Sequence, residues 1–274
     1  MKYFPSSSET KTLGTEDLRA AFLLTDLFKP DEIVLHITDL DRAVVGGAMP
    51  VKGSLELSTP DALRAKFFGE RRELGVLNIG GDGIVHVDEK GYPLSAKDAL
   101  YVGLGAQKIS FGSRASQKPA RFYLISYPAH ASHPTTLIRA ADANANELGS
   151  ADRANRRRIA RYIHAEGVRS AQLVMGVTTL EPGSVWNTMP PHTHSRRSEI
   201  YLYFDVPDDA AVMHFMGEPD EVRALVVRDG EVALSPGWSI HSGCGTSSYS
   251  FCWAMGGENQ DYADMDPVTV DSLR

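Results

Sequence analysis

Past Asp31 the chain is interrupted every few residues by glycine, proline, aspartate or asparagine. Between the breaks lie short apolar or alternating runs: EIVLHI, AVVGGAM, GSLEL, LGVLNI, GIVHVD, ALYVGLG and RFYLISY. Such runs are too short for helices but suit strands, in which every second side chain faces the same way. A second series follows: SAQLVMGVTTL, EIYLYFDV, AVMHFMGE, RALVVRDGEVAL and SYSFCWAM. Regular short strands with turn residues between them predict antiparallel β structure, as a sandwich or barrel. The stretch AADANANELGSADRANRRR, from Ala140 to Arg158, is polar and poor in large apolar residues, so it reads as a linker. The expectation is a mainly β protein of two barrels with a few short helices, divided into 1–148 and 149–274.

The first half opens with a polar arm and one helix signal. Thr15 is suited to cap it, and Glu16 and Asp17 complement the positive end of the helix dipole. The run LRAAFLLTDLF has helical apolar spacing, and Pro30 would end it. The halves also show a faint repeat. Asp98–Gly112 aligns with Gly230–Cys244, with Gly105 on Gly237, and each stretch leads into an aromatic strand. Ile109 then falls where His241 stands, so the first barrel is expected to lack whatever His241 does.

Charge and composition exclude several partners. A net charge of −7 argues against nucleic acid, whose phosphates need a basic face. The basic run from Arg153 to Arg161 reads as a solvated or subunit-contact surface. No apolar stretch of about 18 residues suggests a membrane span. The N-terminal segment has no apolar core of the secretory kind, and the two cysteines, Cys244 and Cys252, match no zinc spacing. A cytoplasmic location is expected, with both thiols as buried structural residues.

The chemistry concentrates in NTMPPHTHSRRSEIYLYF, which begins at Asn187. His192 and His194 are two apart and project together from a strand. Glu199 joins them from the next strand if SRRS is the turn. His241 follows GEVALSPGWSI, where Gly230, Pro236 and Gly237 supply turns. Three imidazoles and a carboxylate suit zinc, iron, manganese or nickel. The pattern HxH-x4-E, then G-x5-PG-x3-H, resembles the two-part signature of the cupin barrels, and the bicupin is the fold it implies.

Longer stretches narrow the resemblance. LVMGVTTLEPGSVWNTMPPHTHSRRSEIYLYFDV, LSPGWSIHSGCGTSSYSFCWAMGGENQDYADMD, LFKPDEIVLHITDLDRAVVGGAMPV and YPAHASHPTTLI together span nearly the whole chain. They resemble the 5-dehydro-4-deoxy-D-glucuronate isomerases, the 4-deoxy-L-threo-5-hexosulose-uronate ketol-isomerase family. The resemblance implies two cupin barrels, a metal-free first and a metal-binding second. It also implies one Zn2+ per subunit (other divalent metals being possible) on His192, His194, Glu199 and His241, a homo-hexamer, and a role in pectin breakdown. Family members interconvert 5-dehydro-4-deoxy-D-glucuronate and 3-deoxy-D-glycero-2,5-hexodiulosonate.

An aldose–ketose isomerisation needs a Lewis acid at the carbonyl and a group that moves protons. Tyr203 and His164 are the candidate acid/base residues. Tyr201 and Tyr203 share a face with Glu199 by strand parity. A uronate carboxylate calls for arginine, so Arg161, Arg196 and Arg197 are candidate substrate contacts, with Tyr201 and, in the C-terminal segment, Asp261. An iron cupin dioxygenase or a non-catalytic sugar-binding bicupin would be built on the same ligand set.

Overall fold

A computed structural model describes all 274 residues, Met1–Arg274. The chain is mainly β, as expected, and divides into two compact units. The first comprises residues 1–2, 26–143 and 162–174; the second comprises 3–25, 144–161 and 175–274.

The first unit holds two antiparallel sheets. In the six-stranded sheet, Phe122–Pro128 runs between Val44–Ala48 and Arg72–Asn78. In the four-stranded sheet, Gly83–Val87 runs between Ile109–Ser113 and Lys90–Leu94. Alternate residues of both sheets bury one apolar core, including Val76, Leu100 and Leu124 from one and Val85 and Phe111 from the other. Ile109 belongs to that core at 3% exposure. The position that aligns with His241 therefore serves packing alone.

The second unit repeats the plan. Its seven-stranded sheet centres on Arg197–Phe204, paired with Val232–Ser235 on one side and Ser250–Gly257 on the other. A four-stranded sheet orders Trp186–Asn187, Ser242–Gly245, Val212–Met216 and Arg223–Val227. Both cysteines are unpaired, and Cys252 is buried.

Two expectations change here. The N-terminal helix spans Thr15–Phe22, with Gly14 rather than Thr15 at the cap, and it stops well before Pro30. Leu23 and Leu24 leave the helix because the edge strand offers backbone partners: they pair with Ala233 and Val232, burying both leucines. Phe22 packs edge-on to Trp238, with centroids 6.2 Å apart. From Tyr3 onward the arm and helix thus join the second unit, not the first.

The expected linker is also structured. Asn144–Leu148 and Arg157–Ile163 form an antiparallel hairpin at the end of the seven-stranded sheet. A cut at residues 148 and 149 would fall inside its turn. Tethered backbone explains the order: Asn155 Oδ1 accepts the Ser150 amide at 2.9 Å, and the Ala154 carbonyl accepts the amides of Val185 and Trp186. Short polar residues supply such turn bonds, so low apolar content did not mean loose chain.

Candidate metal centre

The strand Arg197–Phe204 carries Glu199 to the sheet interior, opposite Ser235 and Met255. Just before it, the short strand His192–Thr193 pairs with Asp266–Pro267. The expected turn is shorter than SRRS, since the strand already begins at Arg197. Gly237 explains the Pro-Gly of the second motif. A Cβ there would lie 2.4 Å from the His194 carbonyl, and the Gly237 carbonyl accepts the His194 amide at 3.0 Å. Only glycine admits so close a backbone approach. His241 follows, 1% exposed.

The four predicted ligands meet. One donor atom from each of His192, His194, Glu199 and His241 lies within 4.8 Å of the others. Glu199 Oε2 is 2.8 Å from His194 Nε2 and 2.9 Å from His241 Nε2. His241 Nε2 is 3.0 Å from His192 Nε2. Burial, with a further contribution from His241, lowers the His192 imidazole to about 3. Burial alone would raise Glu199, but His241 and His194 beside it hold the carboxylate well below its usual range.

The donor set fits a cation. His194 Nδ1 donates to the Asp264 carbonyl at 2.7 Å, so in the neutral ring Nε2 carries only a lone pair. That lone pair faces a carboxylate oxygen at 2.8 Å. Two electron-rich atoms at that distance repel unless a proton or metal ion lies among them. Nitrogen and oxygen donors converging in this way, with one ring oriented by a carbonyl, form an arrangement that could hold a divalent metal.

Three of the four, His192, His194 and Glu199, line a cavity of about 360 Å3. Trp253, Phe251, Met255, Met265 and Ile159 give it apolar walls, while Tyr201, Thr188, Tyr262 and Arg157 add polar groups. The Tyr201 hydroxyl is 3.2 Å from Thr188 Oγ1. Burial, followed by the charge of Glu199, raises its pKa well above the ordinary tyrosine value, so it is an O–H donor. Tyr262 stands against Trp253, with ring centroids 5.5 Å apart.

The other expected site residues are dispersed. Tyr203 lies outside the cavity lining, its hydroxyl hydrogen-bonded to His214 Nδ1 at 2.7 Å. His164 sits in the first unit at a turn closed by Gly167, outside the cavity lining; strand parity could not place it because it follows the strand's end. Arg196 is exposed and pairs with Glu258 at 2.8 Å. Arg197 is buried, but its guanidinium donates to the carbonyls of Asp261 and Asp264. Asp261 offers that carbonyl, while its carboxylate accepts the Ala263 amide. Arg161 shares the face of Arg157 by parity but does not line the cavity. The sequence reading passed over Arg157, Thr188, Trp253 and Tyr262. For Arg157 the available signal was alternation within RRIARYI.

The KduI/IolB family matches residues 27–269. A 4-deoxy-L-threo-5-hexosulose-uronate ketol-isomerase of Opitutus terrae is 52% identical, covering 100% of this chain and 99% of its own. The protein of that name from Lachnoclostridium phytofermentans is 50% identical, covering 98% of each chain. Among solved structures, an IolB-like protein from Salmonella typhimurium has a TM-score of 0.74 at 13% identity, covering 90% of this chain and 96% of that one. Bacillus subtilis oxalate decarboxylase, a protein described with Mn(II) centres, has a TM-score of 0.56 at 12% identity over 84% and 71%. At such identities the structures speak to the fold, which is that of the cupins.

Proposed function

This chain belongs to the KduI/IolB family, and on that premise we propose that it is a metal-dependent ketol-isomerase acting on a small unsaturated-uronate product. The reaction is the interconversion of 5-dehydro-4-deoxy-D-glucuronate and 3-deoxy-D-glycero-2,5-hexodiulosonate, within pectin and uronate breakdown. The observation that carries this reading is full-length identity near one half to proteins of that activity, joined to a four-donor group beside a cavity.

His192, His194, Glu199 and His241 are the residues that would hold the metal, and zinc suits a reaction without net redox change at the ion. When bound, the cation supplies a Lewis acid that polarises the substrate carbonyl and stabilises negative charge on its oxygen. The chain supplies the rest. The Tyr201 hydroxyl, kept protonated by burial, can donate to a substrate oxygen, with Thr188 as its partner at 3.2 Å. Trp253, Phe251 and Met255 give the cavity an apolar wall for the substrate carbons. Homo-hexameric assembly and a cytoplasmic location complete the proposal on the family resemblance.

The test is to incubate the aldose-form substrate with metal-loaded protein in D2O and follow the product by NMR. We expect ketose formation with deuterium at the carbons that exchange hydrogen. The activity should be the same without oxygen; oxygen consumption with oxidised product would favour a dioxygenase instead. Binding without turnover at any metal would overturn the isomerase reading.

A further inference from the structure

The hairpin that closes one side of the cavity sorts its charges by face. Directly opposed residues of an antiparallel pair share a face, and the register is Leu148 with Arg157, Glu147 with Arg158, Asn146 with Ile159 and Asn144 with Arg161. Leu148, Arg157 and Ile159 line the cavity. Glu147, the one acid of the two strands, is therefore directed to the other face along with Arg158. Among the residues lining the cavity, Arg157 is the one guanidinium or ammonium, and Glu199 is the one carboxylate. Glu199 is already occupied by His194 and His241.

Arg157 is half-buried, and its hydrogen bond is to a neutral group, the Asn155 carbonyl, at 2.9 Å from Nη1. It makes no ion pair. Burial alone lowers its pKa from the ordinary arginine value, and no charged side chain offsets that. A partly desolvated guanidinium without a counter-ion is costly, and a carboxylate that can accept two parallel N–H bonds is the ligand that best relieves it. The position fits a substrate with a carbonyl at one end and an acid at the other.

Resting on the isomerase reading above, we propose that Arg157 is the residue that receives the substrate carboxylate and makes the cavity selective for sugar acids over neutral sugars. Arg161 stands four residues further along the same face, about 13 Å away at strand spacing, outside the cavity lining.

Three variants test this: Arg157→Met, Arg157→Lys and, as a control, Arg161→Met, each checked for metal content and melting temperature. Kinetics would compare the uronate substrate with its C6 carboxamide. The native enzyme should favour the acid; Arg157→Met should lose roughly ten- to a hundredfold in kcat/KM on the acid and little on the amide. Arg157→Lys should recover part of the loss, and Arg161→Met should keep the preference. Calorimetric binding of D-galacturonate to metal-loaded native and Arg157→Met protein is a readout independent of turnover. If the native protein does not isomerise, the functional reading fails while this comparison still stands. Equal galacturonate binding by both proteins, none by the native protein, or an unchanged acid preference in a folded, metal-replete Arg157→Met variant would overturn the proposal.

Discussion

The Nε2 atoms of His192 and His241 face each other 3.0 Å apart. At that distance one ring must give a proton or both must give their lone pairs to a shared cation. His241 Nδ1 is buried without a hydrogen-bond partner, so nothing on the far side of the ring fixes its tautomer. The group is thus assembled from strands and turns whose facing donor atoms need a proton or a cation among them.

Removing the metal should therefore cost stability as well as activity. His241→Ala is expected to bring bound metal, measured by elemental analysis, close to zero. The melting temperature of native protein should fall several degrees on chelation; metal at a thousandfold excess over its Kd contributes about 4 kcal/mol. Isomerisation by the variant should drop roughly a thousandfold, the worth of several kcal/mol of charge stabilisation. A variant that keeps both metal and rate would remove the centre from the mechanism.

Arg197 should act on the metal without touching it. Its Nη2 donates to the Asp264 carbonyl at 3.1 Å, the same oxygen that receives His194 Nδ1–H. Arg197→Met frees that carbonyl, so His194 loses its orientation. We expect roughly ten- to a hundredfold weaker metal affinity in a chelator competition. Saturating metal should restore most activity. Unaltered affinity would show that the 258–268 segment holds itself in place.

Tyr201 and Tyr203 should separate. Tyr201→Phe removes a hydroxyl from the cavity and should lower kcat with metal content intact. Tyr203→Phe leaves His214 Nδ1 without its hydrogen-bond partner in a buried site, at a cost of about 1–3 kcal/mol by urea unfolding. Its kcat should stay within a few-fold of native. The opposite pattern would return Tyr203 to the reaction.

His214 should make the protein acid-sensitive. Burial, with a smaller contribution from His241, lowers its pKa to about 3. The unfolded chain, with histidine near 6.5, binds the proton first. Stability from this group is therefore whole above pH 6.5 and falls as pH drops toward 3, by about 1.4 kcal/mol per unit. The check is the pH slope of unfolding free energy in metal-free native protein and His214→Gln between pH 6 and 4. The variant should have the shallower slope; equal slopes would show that His214 does not titrate differently on folding.

The four-donor group was legible because it depends on spacing. His192 and His194 lie two apart, Glu199 follows at once, and Gly237 is demanded by a backbone contact with His194. Glu199, Tyr201 and Tyr203 were placed on one face by alternation, and all three are buried. Parity gives the face but not the depth. Tyr201 meets the cavity while Tyr203 ends against His214, because His214 comes from a strand of the other sheet.

The sequence by itself determined the β architecture, the four donors and the family, since turn residues, two-residue periodicity and motif spacing act over short lengths of chain. Only the tertiary structure decided that the N-terminal helix belongs to the second unit, that Ala140–Arg158 holds the first strand and turn of a hairpin, and that Arg157 lines the cavity while Arg197 braces a carbonyl. Each of these depends on which strand edge or carbonyl stands opposite, a relation between segments as distant as Leu23 and Ala233. Local patterns fix which side a residue presents; the partner across the gap fixes what it does there.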